Sequence, residues 1–379
     1  MMHVSPVRRA PAQGPLLIDV ARDPAAIVPI WRSFEQANPG QLFQRFDWIA
    51  GWSATQGAAL GVEPAIVTVS DANGAPLALM PFGVRRWRAV NFVEWLGGEH
   101  ASFNAPLIQN GGIPSQDSES TRQLLRDVAV AIGDVDAFAL TNQPRVWRAA
   151  THPFAGIGDS PLLDKAYERA LRIGGDAFVD SLLDKDARKK LRAKEKRLAE
   201  FGAVRFRRSE SVEEIEKTLD AFLAQRAARF RQTGIANPFA EPGAEEFLRR
   251  ATSERAIALY SLSAGDRIVA IFGGPEDGAR FSGMFTSFDD QPEIARNSPG
   301  DILLRHLIAD LSRRGVATID LGVGDARYKR TYCDVGIEMF ETHLACTPAG
   351  ALASAALRAR AAAKRIVKNH PALLSLARR

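Results

Sequence analysis

Cysteine is nearly missing from this 379-residue sequence, which has only Cys333 and Cys346. Two thiols close together cannot make the disulfide framework of a small secreted domain, and they fit a reducing compartment. The histidines are as sparse: His3, His100, His152, His306, His343 and His370 lie scattered, without the spacing that zinc ligands on one element require, so no metal is expected. No run approaches the roughly 20 apolar residues of a membrane span. Met1–Gly14 carries Arg8 and Arg9 but no apolar signal-peptide core. A Walker A sequence, a nucleophile elbow and a dinucleotide-binding glycine triplet are also missing. Gly322-Val323-Gly324 begins like that triplet but continues Asp325-Ala326-Arg327. The expectation is a cytoplasmic, metal-free protein.

What is present describes a globular chain, with 46% hydrophobic and 25% charged residues. Single cores stop growing near about 250 residues, so two domains are expected. The net charge of +5 is unevenly placed. Ala349–Arg379 holds seven basic residues and no acidic one, which leaves 42 basic against 44 acidic in the body. Within the body, Lys185–Arg208 has eleven basic and three acidic residues. Such concentration does not describe a general nucleic-acid surface.

Periodicity gives the same element order twice. In the first half a strand at Leu16–Val20 and helices at Pro24–Ala37 and Phe46–Gln56 precede strands at Ala65–Val69, Leu77–Val84 and Ala89–Leu96. A helix at Ser120–Ile132 and a strand at Val135–Leu140 follow. In the second half helices at Val212–Phe230 and Ala244–Ala251 precede strands at Ala256–Leu262, Ile268–Gly273 and Arg280–Phe288. Then come a helix at Pro299–Arg314, a strand at Val316–Leu321 and a closing strand at Met339–Ala345. The expected class is α/β (α+β): two tandem domains, each a mixed, mostly antiparallel sheet flanked by helices. The boundaries read as a flexible 1–14, a first domain 15–149, a linker 150–165, a second domain 166–346 and a basic helical tail 347–379 that ends near Pro371.

Two segments suit chemistry. Arg296-Asn297-Ser298-Pro299-Gly300-Asp301 opens a helix directly after a strand and loop, where free amides and the positive dipole end can hold a diphosphate. Ser298 to Asp301 also matches a plain capping box, and the pattern by itself favours that reading. Ile319-Asp320-Leu321-Gly322 then delivers Asp325, Tyr328 and Lys329 to the carboxyl edge of a sheet, where ligands of α/β proteins sit. The basic run Arg188–Arg197 reads either as a solvated helix, with Glu195 and Glu200 pairing Arg192 and Lys196, or as a phosphate-binding one.

Ser298-Pro299-Gly300 at a helix start, followed by Asp320-Leu321-Gly322 and Tyr328-Lys329, resembles the GNAT-fold acetyltransferases of bacterial cellulose and exopolysaccharide synthesis. Arg188-Lys189-Lys190-Leu191-Arg192 through Phe201-Gly202 resembles the basic helix opening the second domain there. Fem-type peptidoglycan aminoacyltransferases, with two GNAT-like domains, are relatives of that family. The usual Q/R-x-x-G-x-G/A loop has two glycines; this chain has one.

The resemblance implies two GNAT-like domains and an acyl-CoA cosubstrate, with acetyl-CoA the expected donor, held by Arg296, Asn297, Ser298 and Gly300. Transfer would be direct, to an amine or hydroxyl of a sugar, polysaccharide precursor or related small molecule. Asp289 or Asp325 would act as base, Tyr328 as the acid for the leaving thiolate, and Lys329 and Asp320 would face the acceptor. The alternatives are aminoacyl transfer from charged tRNA, the one nucleic-acid partner considered, and a non-catalytic assembly component. The basic tail reads as a solvated helix or as a peripheral contact with the inner membrane or a membrane-bound synthase.

Overall fold

The computed structural model describes residues 15–110, 112–113, 118–147, 150–233 and 237–369. The expected flexible N-terminus and the tail's end near Pro371 lie outside them. The first half runs β1 (Leu17–Ala21), α1 (Val28–Ala37), α2 (Phe46–Trp52), β2 (Val62–Ser70), β3 (Pro76–Trp87), β4 (Val90–Trp95), β5 (Leu107–Ile108), α3 (Ser118–Ile132) and β6 (Ala137–Pro144). A small hairpin of β7 (Val146–Trp147) and β8 (Ala150–Thr151) and a short β9 (Asp159–Pro161) lead out of it.

The second half runs β10 (Ala166–Ala170), α4 (Asp176–Ser181), α5 (Lys185–Leu198), β11 (Val204–Arg208), α6 (Val212–Thr233), α7 (Ala244–Ser253), β12 (Ala258–Ala264) and β13 (Arg267–Gly274). It continues with β14 (Arg280–Ser282), β15 (Phe285–Phe288), α8 (Pro292–Ala295), α9 (Pro299–Arg313), β16 (Thr318–Val323), α10 (Arg327–Tyr332), β17 (Val335–Ile337), β18 (Met339–Ala345) and α11 (Pro348–Asn369).

Three sheets carry these strands, besides the β7–β8 pair. The largest has the order β1-β2-β3-β4-β6-β18-β9, with β5 beside β3; the second half supplies β14-β16-β10-β17 and β11-β12-β13-β15. Each half contains one parallel pair bridged by a crossover helix: β4 with β6 across α3, and β14 with β16 across α9. The repeated order read from periodicity is thus a repeated topology.

Two expectations change. Met339–Ala345 does not close the second half: β18 pairs antiparallel with β6 over Met339↔Pro144 to Ala345↔Ala137 and so completes the first sheet. A strand's pattern shows that it has an apolar face but not which sheet supplies its partner. The run Arg280–Phe288 is two strands. Its first part pairs parallel with β16 and its second part pairs antiparallel with β13. Close packing at the break requires glycine: a Cβ on Gly274 would lie 1.9 Å from the Ser282 carbonyl oxygen, and one on Gly283 would lie 2.7 Å from the Phe272 ring. The strands therefore fork at Gly283-Met284.

One apolar core crosses between the halves, packing Trp31, Trp48 and Phe103 of the first with Phe222, Phe247 and Phe285 of the second. At the same boundary, the Gly40 amide donates to Asp277 at 2.8 Å, and the Arg280 guanidinium sits 4.7 Å over Trp147.

Candidate active site

The site is built where α5 crosses the start of α9. Asp184 caps α5 by accepting from the Ala187 amide at 2.7 Å, and Leu191 and Leu198, two turns apart, are buried against the second-half core. That apolar seam turns a helix of strongly polar composition onto the protein. Glu195 receives His306 of α9 at 2.7 Å, and Arg192 reaches Asp180 at 2.6 Å. The intrahelical pairing expected for Glu195 with Arg192 is replaced by these contacts between helices. The Glu195 carboxyl is held below its ordinary value, chiefly by the hydrogen bond from His306.

Ser298 stands at the N-cap of α9 with φ 50° and ψ 56°, in the left-handed region that a serine adopts only when its surroundings impose it. Its side chain makes no cap bond. The capping box expected from Ser298 and Asp301 is therefore not formed, because a capping side chain needs extended backbone at this position. Instead the Ser298 Oγ accepts from Lys194 Nζ at 2.6 Å. The Asp301 and Ile302 amides turn back to the Ser298 carbonyl at 3.0 and 3.2 Å, and the Gly300 amide has no partner among the described residues.

Around this start lies an open groove of about 1020 Å³, lined by α5, the head of α9 and α10. Lys185, Lys190, Lys194, Arg197 and Arg327 face it against Asp184, Asp186 and Asp301. A net positive groove at a helix start suits a diphosphate, so the residues present fit the polar end of coenzyme A. Tyr328, Thr331 and Tyr332 form the other wall. Burial, with Cys333 and Asp301 close by, pushes the Tyr328 phenol up to about 12, so it stays protonated at neutral pH.

Of the residues singled out in sequence, few face the groove, and Arg296, Asp289 and Asp325 are outside its lining. Ser298 and Tyr328 line it. Asn297 is fully buried; it donates to the Glu293 carbonyl at 2.9 Å and accepts from Arg197 Nε at 3.2 Å, which positions Arg197. Arg296 is exposed and outside the lining. Asp289, at the end of β15, is paired with Arg267 and accepts the Gln291 amide at 3.1 Å. Asp325 is half-exposed, 2.8 Å from Arg330 and 3.3 Å from the Tyr167 hydroxyl.

Lys329 is buried and donates to the Gly322 and Val323 carbonyls at 3.2 and 2.8 Å, not to Asp325. Asp320 is fully buried beside Arg280 at 3.1 Å and accepts from the Ser282 hydroxyl. Arg280 also holds Glu168 at 2.9 Å, and these carboxylates keep it charged despite its burial. Cys333 is buried and its thiol is pushed up to about 12, which does not suit a nucleophile. Lys194 and Arg197 lie in the basic run Arg188–Arg197, for which the sequence offers a phosphate-binding reading beside the solvated one, whereas Arg327 has no such signal. The charge density of Lys185–Arg208 was the signal for the first two.

Residues 185–330, from the first residue of α5 into α10, match the family described as Acetyltransferase (GNAT) domain. No curated protein sequence matches the chain.

Among solved structures, the chain is similar to FemX, with a TM-score of 0.59 at 10% identity over 86% of this chain and 98% of that one. It is similar to a conserved protein of unknown function from Bacteroides thetaiotaomicron VPI-5482, with a TM-score of 0.54 at 11% identity over 86% and 100%. It is also similar to the C-terminal domain of a putative lysylphosphatidylglycerol synthetase from Agrobacterium fabrum, with a TM-score of 0.51 at 11% identity over 87% and 95%. At such identities the likeness is one of fold. Among the described residues, no group of three or more His, Cys, Asp or Glu side chains is placed to hold a metal, and no helix is long and apolar enough to cross a membrane.

Proposed function

We propose that the chain transfers an acyl group, acetyl in the simplest case, from an acyl-CoA thioester to an amine or hydroxyl of a sugar, a polysaccharide precursor such as those of cellulose or exopolysaccharide synthesis, or a related small molecule. The observation that carries this reading is the meeting of α5 with α9, where Lys194 takes the Ser298 hydroxyl and leaves the helix start uncapped by its own side chain.

In this reading Lys194, Arg197, Arg327 and the Gly300 amide hold the diphosphate, and the thioester extends toward the fork at Gly283. The acceptor attacks the carbonyl carbon directly. The thiolate leaves and takes its proton from Tyr328. Asp320 and Lys329 keep the fork's shape through Arg280, Ser282 and the Gly322 and Val323 carbonyls. Asp325 or Asp289 accepts the acceptor's proton only if its ion pair with Arg330 or Arg267 opens. Titration calorimetry with acetyl-CoA tests the reading; no binding at about millimolar ligand, that is a binding free energy weaker than about −4 kcal/mol, would sink it.

A second reading is aminoacyl transfer from charged tRNA, which the exposed Lys189, Lys190, Arg192 and Lys196 of α5 favour. It expects tRNA binding that falls steeply with salt. For location we propose the cytoplasm, with the basic tail touching the anionic inner membrane or a synthase there. α11 leaves Leu352 77% exposed at its start. Co-sedimentation with anionic vesicles, lost on truncation after Pro348, is the expected result.

A further inference from the structure

Arg226 stands apart from the other enclosed arginines. Arg280, Arg305 and Arg314 each sit on carboxylates. Arg226, on α6, is partly buried; its Nε is wholly buried and has no hydrogen-bond partner, and no carboxylate pairs with the guanidinium among the described residues. Its company is aromatic and cationic. The guanidinium lies 4.5 Å over Phe230 and 5.3 Å over Phe239, and Arg229 adds a like charge one turn on. Burial and that neighbour pull Arg226 below the ordinary arginine value. A guanidinium left in this state lacks the anion that its planar fork is shaped to hold.

The Phe239 ring has a second polar neighbour, from the other half. His100, 7% exposed, stacks on Phe239 at 5.4 Å and on Phe247 at 5.9 Å, and its buried Nε2 has no partner among the described residues. Buried polar nitrogens are nearly always bonded, so two orphans against one ring call for a missing partner. Phe239 also touches Phe285 at 5.9 Å. Phe285 is the first residue of β15, immediately beyond the fork. The ring that the two orphan side chains share therefore lies one aromatic contact from the fork's Phe285, on the side of α6, whereas the basic groove lies on that of α5 and α10.

We propose that Arg226 and His100, meeting at Phe239 from the two halves, bind the acceptor through an anionic group, so that the acceptor is an amine or alcohol that also bears a carboxylate or a phosphate. Its role as acceptor rests on the transfer reading above, whereas the anion site rests on the geometry alone.

The test uses the full chain in two arms. In the first, melting temperature is followed with acetate and with inorganic phosphate against chloride at equal ionic strength. The wild type is expected to gain with one of the two anions, Arg226→Lys to keep part of the gain, and Arg226→Gln to lose it. In the second, thiol release from acetyl-CoA is compared for L-alanine against L-alaninamide and for glucosamine 6-phosphate against glucosamine. The anionic member of one pair is expected to be used roughly tenfold or more better, with that preference gone in Arg226→Gln.

No shift with either anion, or equal shifts in wild type and Arg226→Gln, overturns the site. If Arg226→Gln does not fold, the same comparison is made with His100→Asn, and equal shifts again overturn it. An anion shift with equal use of neutral and anionic acceptors overturns the acceptor role. If acetyl-CoA itself does not bind, the transfer reading fails and the first arm still decides the anion site.

Discussion

The two halves share a topology and differ at the same place in it. In the second half the parallel pair β14–β16 parts at Gly283, and the crossover helix α9 begins beside Lys194, Arg197 and Arg327. In the first half the equivalent pair β4–β6 is sealed. Trp95 reaches from β4 to Gln143 of β6 at 3.3 Å, packs on Phe82 at 4.6 Å and stacks on Phe154 at 6.0 Å; Gln143 is held in turn by Thr342 of β18 at 2.9 Å. The fold supplies the fork twice, and side chains close the one in the first half. The strand that seals the first fork comes from the far end of the chain.

The largest expected effect separates the halves by acid. His100 and His152, both in the first half, are held neutral by burial, down to about 4 and about 3, and an unfolded histidine titrates near 6.5. The unfolded chain therefore binds more protons as pH falls below about 6.5, so stability is complete above that and lost toward pH 4, by up to about 1.4 kcal/mol per pH unit for each histidine. Phe154 donates its amide to His152 Nδ1 at 3.1 Å, a bond that protonation would break. Urea unfolding across that range is expected to show a two-proton slope, reduced by one in His152→Gln; an unchanged slope would break the account of the first half.

Trp95→Ala sharpens the contrast next. It should cost about 3–5 kcal/mol in urea unfolding while acetyl-CoA affinity stays the same. Equal losses of stability and donor affinity would mean that the sealed fork takes part in binding. Tyr328→Phe should lower kcat about 100-fold with the KM for acetyl-CoA unchanged, read in steady-state thiol release. The double change Lys194→Ala with Arg197→Ala should weaken acetyl-CoA about 10- to 100-fold by calorimetry, whereas Arg122→Ala with Arg126→Ala on α3 should leave it unchanged.

How much of this was legible depended on distance along the chain. Local period placed α9, α6, β12 and β13 almost at their observed bounds, because side chains three or four apart on a helix and alternate ones on a strand are set locally. β11 escaped, since Val204 and Phe206 alternate with Arg205, Arg207 and Arg208 inside a run dominated by charge. The site was half legible. A helix start at Ser298 and an aromatic at Tyr328 could be read, but the contact of Lys194 with Ser298 spans 104 residues. The left-handed Ser298, which removes the capping reading, is a tertiary effect that a four-residue motif cannot carry. Asp320 lies on β16 and Lys329 on α10; their burial, which turns them toward Arg280 and backbone carbonyls, depends on packing from β10 and the β14 arginine.

The proposed donor site lies at one fork of the two, beside the start of α9. Calorimetric titration of the full chain with acetyl-CoA addresses it most directly. The account predicts one molecule bound per chain, with that binding weakened by Lys194→Ala with Arg197→Ala; two molecules per chain, or none at about millimolar ligand, would contradict it.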